Sequence, residues 1–111
     1  MNKKTTKKVK ETQMVKKEDK AVDRVLERIS EINEEALYPT DLKEAVIGMV
    51  ERFGMEPLVL IDKSKCIDIY IHRDGMSYED AHEFFEFNVI GAWMGKGTPC
   101  FATLASSEFF L

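Results

Sequence analysis

KSKCIDIYIHRDG, residues 63–75, supports two secondary structures, and the choice between them shapes the fold. Ile67, Ile69 and Ile71 alternate, as they would on a half-buried strand. Cys66, Ile67, Tyr70 and Ile71 also share one face of a helix. Asp62 is a suitable N-cap just before the stretch, and Gly75 is a suitable stop just after it. We read 63–74 as a helix, with the strand as the alternative.

Upstream of this stretch, Pro57 opens PLVLI (57–61), a short apolar run of strand type. Before it, Leu42, Ala45, Val46, Met49, Val50 and Phe53 recur at helical spacing. Thr40 suits an N-cap and Gly54 a C-terminal left-handed turn, so 41–53 reads as a helix. Residues 19–37 carry Val22, Val25, Leu26, Ile29, Ile32 and Ala36 at spacings of three and four, the stripe of an amphipathic helix. That repeat is too short for a free-standing coiled coil. It has to cover its own domain or a partner, and it is also a candidate homodimer face. Tyr38-Pro39 breaks it.

Downstream, Ser77 to Asp80 form S-x-x-D, a capping-box-like start. Glu79, Asp80 and Glu83 suit the positive end of a helix dipole, and the helix is expected over 78–94. Its second half is apolar all round, which predicts the most buried helix of the fold. Gly95 and Gly97 end it. TPCFATL (98–104) reads as a strand to pair with PLVLI. Two polar residues interrupt the apolar run. Asn88, flanked by Phe84, Phe85, Gly91 and Ala92, is expected to be buried and to bridge the backbone of the PLVLI strand or of the Arg73-Asp74-Gly75 turn. Glu86 is expected at the rim. Gly91 and Ala92 would let another element pack closely. Trp93 is either core or the aromatic anchor of an interface.

The chain has 111 residues, 44% hydrophobic, which is one domain with a packed core. Its net charge of −4 hides a split: residues 1–20 carry +5 and residues 21–111 carry −9. Residues 1–18 are polar, lysine-rich and poor in aromatics, and read as a flexible tail ahead of a single domain, 19–111, with a helical extension of the next segment as the alternative. No apolar segment follows the first lysines and no run reaches the length of a membrane span, so a soluble, cytoplasmic protein is expected. Cys66 and Cys100 form no CxxC pair and read as free thiols.

Chemistry is harder to find. Glu79, His82 and Glu86 share a helix stripe, but carboxylate metal sites need two Glu-x-x-His copies and further Glu-bearing helices; a solvated face explains the stripe better. Cys66, His72, His82 and Cys100 have no compact zinc spacing. No nucleophile elbow is present, and GKGT (95–98) follows a helix where a phosphate loop precedes one. The expectation is no catalytic residue, no metal and no cofactor. The lysine tail offers nucleic acid only weak, nonspecific contact. Residues expected to contact a partner are Trp93, Glu86, Asn88, Asp74, Tyr78 and Lys96.

Several short pieces have a family look: Ala36-Leu37-Tyr38-Pro39, Ile47-Gly48, Arg52-Phe53-Gly54, Arg73-Asp74-Gly75-Met76-Ser77-Tyr78-Glu79, Phe87-Asn88, Gly91-Ala92 and Thr98-Pro99. Together, over about residues 36–102, they resemble a family of short proteins of tailed bacteriophages and other mobile elements. The resemblance implies a viral or mobile-element origin and brings no chemistry with it. The lysine-rich N-terminus departs from the family pattern.

The expected fold is α+β: three to four helices on a small two-stranded antiparallel sheet, with an N-terminal helix extension. The expected function is stoichiometric binding of a protein, plausibly the inhibition of a host defence protein. The alternative is a small-ligand binder, such as a nucleotide-sequestering protein, its pocket near Asn88 and the Arg73-Asp74-Gly75 turn. A closed, filled core would favour the first; a polar-lined cavity of roughly 300 Å³ or more would favour the second.

Overall fold

A computed structural model describes residues 17–107. The fold is α+β. Helix α1 (Lys17–Ile32) leads to a 3-10 helix (Thr40–Ala45), a hairpin of β1 (Val46–Arg52) and β2 (Met55–Asp62), helix α2 (Lys63–His72), helix α3 (Tyr78–Phe85) with a π-helical turn (Glu86–Ile90), and strand β3 (Cys100–Ala102). The expected tail falls outside the described residues up to 16; Lys17 and Glu18 already belong to α1. Among the described residues no helix is long and apolar enough to cross a membrane.

The sheet has three strands in the order β1-β2-β3, not two. The antiparallel partner of PLVLI is β1, which lies inside the stretch expected to be a helix over 41–53. The apolar spacing there fits a helix, but Val46, Ile47 and Val50 are β-branched and Gly48 is a poor helix former. Pairing with β2 wins, and only Thr40–Ala45 remains helical, with no side-chain cap. Gly54, at φ +81°, serves a tight hairpin turn in place of a helix C-cap. Phe53 therefore sits at the hairpin tip, 99% exposed. The register skips at two places. Ile47 is the extra residue between the Val46–Ile61 and Gly48–Leu60 pairs and turns toward solvent; Pro57 falls in the second irregularity, where a missing N–H does no harm.

β3 pairs with β2 as expected, but in parallel, with Ile61 opposite Phe101. The crossover between them is α2 and α3, as parallel pairing demands. β2 is thus the middle strand. Leu58, Val59 and Ile61 are all buried, which is why PLVLI reads as a continuous apolar run and not as an alternation. Around it pack Leu26 and Ile29 of α1, Leu42 and Ala45, Cys66, Ile67 and Tyr70 of α2, and Ala81 and Phe85 of α3. The α1 stripe packs on this core, with Ile32 left exposed.

The helix reading of 63–74 holds. Asp62 caps α2 by accepting the Ser64 N–H at 2.9 Å, and Gly75 ends the stretch at φ +73°. Ser77 caps α3 by accepting the Asp80 N–H at 3.1 Å.

α1 stops at Ile32, short of 37, because Asn33 diverts the backbone. Its Oδ1 accepts the Glu35 N–H at 3.1 Å, while its Nδ2 donates to the Pro57 carbonyl in β2 at 3.0 Å. The buried asparagine that bridges to PLVLI is therefore Asn33; Asn88 is exposed. The chain leaving Asn33 is then met from the other side by Gly97, whose carbonyl accepts the Leu37 N–H at 2.9 Å. A Cβ on Gly97 would lie 1.8 Å from the Glu35 carbonyl oxygen.

Two substitutions test this junction by denaturant unfolding. Gly97→Ala should cost about 3 kcal/mol, since backbone must move to admit the methyl. Asn33→Ala should cost about 1–3 kcal/mol by orphaning the Pro57 carbonyl. Gly48→Ala, where a Cβ meets nothing within 4 Å, should stay within about 0.5 kcal/mol of the parent.

Candidate functional site

The site is built by the segment that follows the Ser77 cap. α3 is anchored on its inner face alone. Ala81 and Phe85 are fully buried, and the Phe85 ring meets Phe101 of β3 edge-on at 5.3 Å. Directly after Phe85 the helix widens into its π-helical turn, which contains no buried residue. The helix ends at Ile90, so the expected helix 78–94 and its burial are both corrected. Val89 still packs on the core, but most of the large apolar side chains around the turn do not. Phe84, Phe87, Ile90, Trp93 and Met94 are exposed, Phe87 and Trp93 by 73% and 75%. Gly91 is exposed too, and a Cβ there would touch only carbonyls of its own helix, so no second element packs on it. The chain then turns at Gly95 (φ +97°), held by Thr98, whose Oγ1 donates to the Gly95 carbonyl at 2.7 Å and accepts the Met94 N–H at 2.8 Å.

Between this segment, the C-terminal end of α2 and the 3-10 helix lies a cleft of about 330 Å³. Leu42, Tyr70, Phe84, Val89, Met94 and Phe101 supply apolar wall, with Tyr70 and Phe84 packed edge-to-face at 5.0 Å. Its polar lining includes Asp41, Arg73, Asp74 and Asn88. Arg73 is heavily engaged. Nε and Nη2 donate to the two Asp74 carboxylate oxygens at 2.9 and 3.0 Å, and Nη1 donates to the Asp41 carbonyl at 2.8 Å. The Asp41 carboxylate lies 3.7 Å from Nη2. The hydrogen bonds Arg73 donates to Asp74 raise its pKa further, so the guanidinium stays charged. Tyr70 is held neutral: burial raises its hydroxyl pKa first, and the Asp41 charge adds to that.

Of the residues expected from sequence, Asn88 and Asp74 line this cleft. Trp93 and Lys96 line a second, larger groove of about 820 Å³ beside Glu34, Glu35 and Glu56. Tyr78 and Glu86 lie elsewhere on the helix face. The Tyr78 ring is 5.8 Å from His82. Glu86 is at the rim, as expected, and its carboxylate accepts from Lys63 Nζ at 2.8 Å, a bond that holds its pKa below the ordinary range. The six residues thus form no single site. Asp41, Tyr70, Arg73 and Phe84 were missing from the expected set; the Arg73-Asp74-Gly75 turn was the one signal that pointed near them.

Among the described residues no three of His, Cys, Asp and Glu come together as metal ligands. Cys66 is fully buried, and its thiol is pushed up to about 12, by burial first and then by Asp62 and Asp41. It is a poor nucleophile. Comparison with protein-family models, curated proteins and solved structures finds no match to this chain.

The thiols give a direct check. At pH 8 a thiol reagent should modify the half-buried Cys100 and spare Cys66 until the protein is unfolded, as read by mass spectrometry of the peptides. A buried neutral thiol favours the folded state below its ordinary pKa of 9.0, so the Cys66 contribution should fall as pH rises from 9.0 toward 12. Cys66→Ala should flatten that alkaline limb.

Proposed function

We propose that this protein acts by stoichiometric binding of a protein partner, without catalysis, through the exposed apolar surface of residues 84–94. One observation carries the reading: five large apolar side chains, Phe84, Phe87, Ile90, Trp93 and Met94, are exposed within a single turn-and-loop segment. Scattered exposed hydrophobes are ordinary, but a local concentration of this kind marks an interaction surface. Phe87 and Trp93 are its aromatic anchors, the residue types that supply most binding energy at interfaces. The acidic body, −9 over residues 21–111, would speed encounter with a basic partner, an effect that weakens as salt rises. The resemblance of residues 36–102 to phage proteins points to a host protein as target, a defence protein among the candidates, and to action in the host cytoplasm.

The second reading, a small-ligand binder, is favoured by the cleft. At about 330 Å³ it reaches ligand size, but its walls are mainly apolar and it lacks a free cationic group for a phosphate. That argues against a nucleotide.

The test is capture from host lysate with tagged protein, followed by titration of the purified target. The protein should hold its target at an equimolar ratio and keep it in excess chelator. Phe87→Ala and Trp93→Ala should each weaken the complex by about 2 kcal/mol, roughly 30-fold, while leaving the melting temperature unchanged. Turnover of many target molecules per protein molecule would overturn the reading.

A further inference from the structure

We propose that the cleft beside the aromatic surface seats a cationic side chain, arginine or lysine, of the partner protein. The inference rests on the protein-binding reading and names the chemistry of its partner. Three features of the cleft converge on this occupant.

The first is shape. A volume of about 330 Å³ is at the small end for ligand sites, and the walls of Tyr70, Phe84, Val89 and Met94 suit a methylene stem with a polar tip. Phe84 and Tyr70 also offer aromatic surface, which attracts cations.

The second is charge. The lining holds two carboxylates, Asp41 and Asp74, against one guanidinium, Arg73. The nitrogens of Arg73 already donate to the Asp74 carboxylate and the Asp41 backbone carbonyl, so an incoming anion finds the guanidinium engaged, whereas a cation meets a net negative lip. The body as a whole has the same sign.

The third is Asn88. Its carboxamide lines the cleft and makes no side-chain hydrogen bond among the described residues. The π-helical turn sets it there, and its oxygen suits the N–H groups of a guanidinium or ammonium. Asn88 is exposed, so its carboxamide oxygen is open to an incoming donor.

The test uses small probes on the full-length protein, followed by backbone amide NMR. The probes are Nα-acetyl-arginine methylamide, its uncharged counterpart Nα-acetyl-norleucine methylamide, and adenosine monophosphate. The arginine probe should give saturable shifts at Tyr70, Asp74 and Asn88, bind about fivefold more tightly than the norleucine probe, and weaken as salt rises. Asp74→Asn and Asn88→Ala should each weaken it severalfold. Because Asp74→Asn also loosens Arg73, a second variant, Ala92→Phe, fills the exposed side of the cleft without touching its charges and should abolish the shifts. Equal or tighter binding of norleucine or of the nucleotide, shifts that map away from the cleft, or no saturable shift would each overturn the proposal. None of these outcomes involves the partner, so the aromatic surface remains tested separately by Phe87→Ala and Trp93→Ala.

Discussion

The contact between Gly97 and the chain that leaves Asn33 is the constraint on which the rest of the structure depends. Asn33 ends α1 and ties it to β2 through the Pro57 carbonyl, and Gly97 lies so close to Glu35 that no side chain fits between them. The Leu37–Gly97 hydrogen bond closes the junction. One end of the 84–98 segment is thereby fixed against α1, and Cys100–Ala102 follow directly as a strand beside β2. The other end is fixed by Phe85 and Ala81 in the core. Between two such anchors the π turn and the loop after it border the cleft, with Val89 and Met94 on its wall and Phe87 and Trp93 largely exposed.

This arrangement separates two roles that one apolar run appears to merge. Ala81 and Phe85 stabilise the fold. Phe87 and Trp93 keep most of their apolar area in water, and Phe84, Ile90 and Met94 keep a substantial part of theirs. Exposure of that much apolar surface has a free-energy cost that folding does not recover, and a partner that covers it would.

Much of the local structure was legible in the sequence because it depends on single residues. Asp62, Gly75 and Ser77 do at the ends of α2 and α3 what their types imply. PLVLI is a strand, and the class is α+β. The misreadings share one physical origin. Periodicity says which side chains could share a face but not whether a partner covers that face. For 41–53 a strand partner existed and outweighed a helical pattern. For 84–94 no element among the described residues covers the run, and much of it stays exposed. Asn88 and Asn33 show the same limit: both are asparagines near apolar residues, and only the long-range approach of Pro57 makes Asn33 the buried bridge. The cleft was half legible, since Asn88 and the Arg73-Asp74-Gly75 turn were both singled out. Asp41 entered it only through a 3-10 helix whose position depends on the hairpin.

The chain's single tryptophan makes the central claim, that residues 84–94 present an uncovered apolar surface, directly measurable. Trp93 fluorescence in the isolated native protein should be red-shifted and strongly quenched by acrylamide, nearly as in the unfolded chain, and unchanged on dilution. A blue-shifted, quencher-protected Trp93 would contradict the account. Protection that persists on dilution would place the segment in the core, and protection lost on dilution would show that a second copy of the chain already covers it.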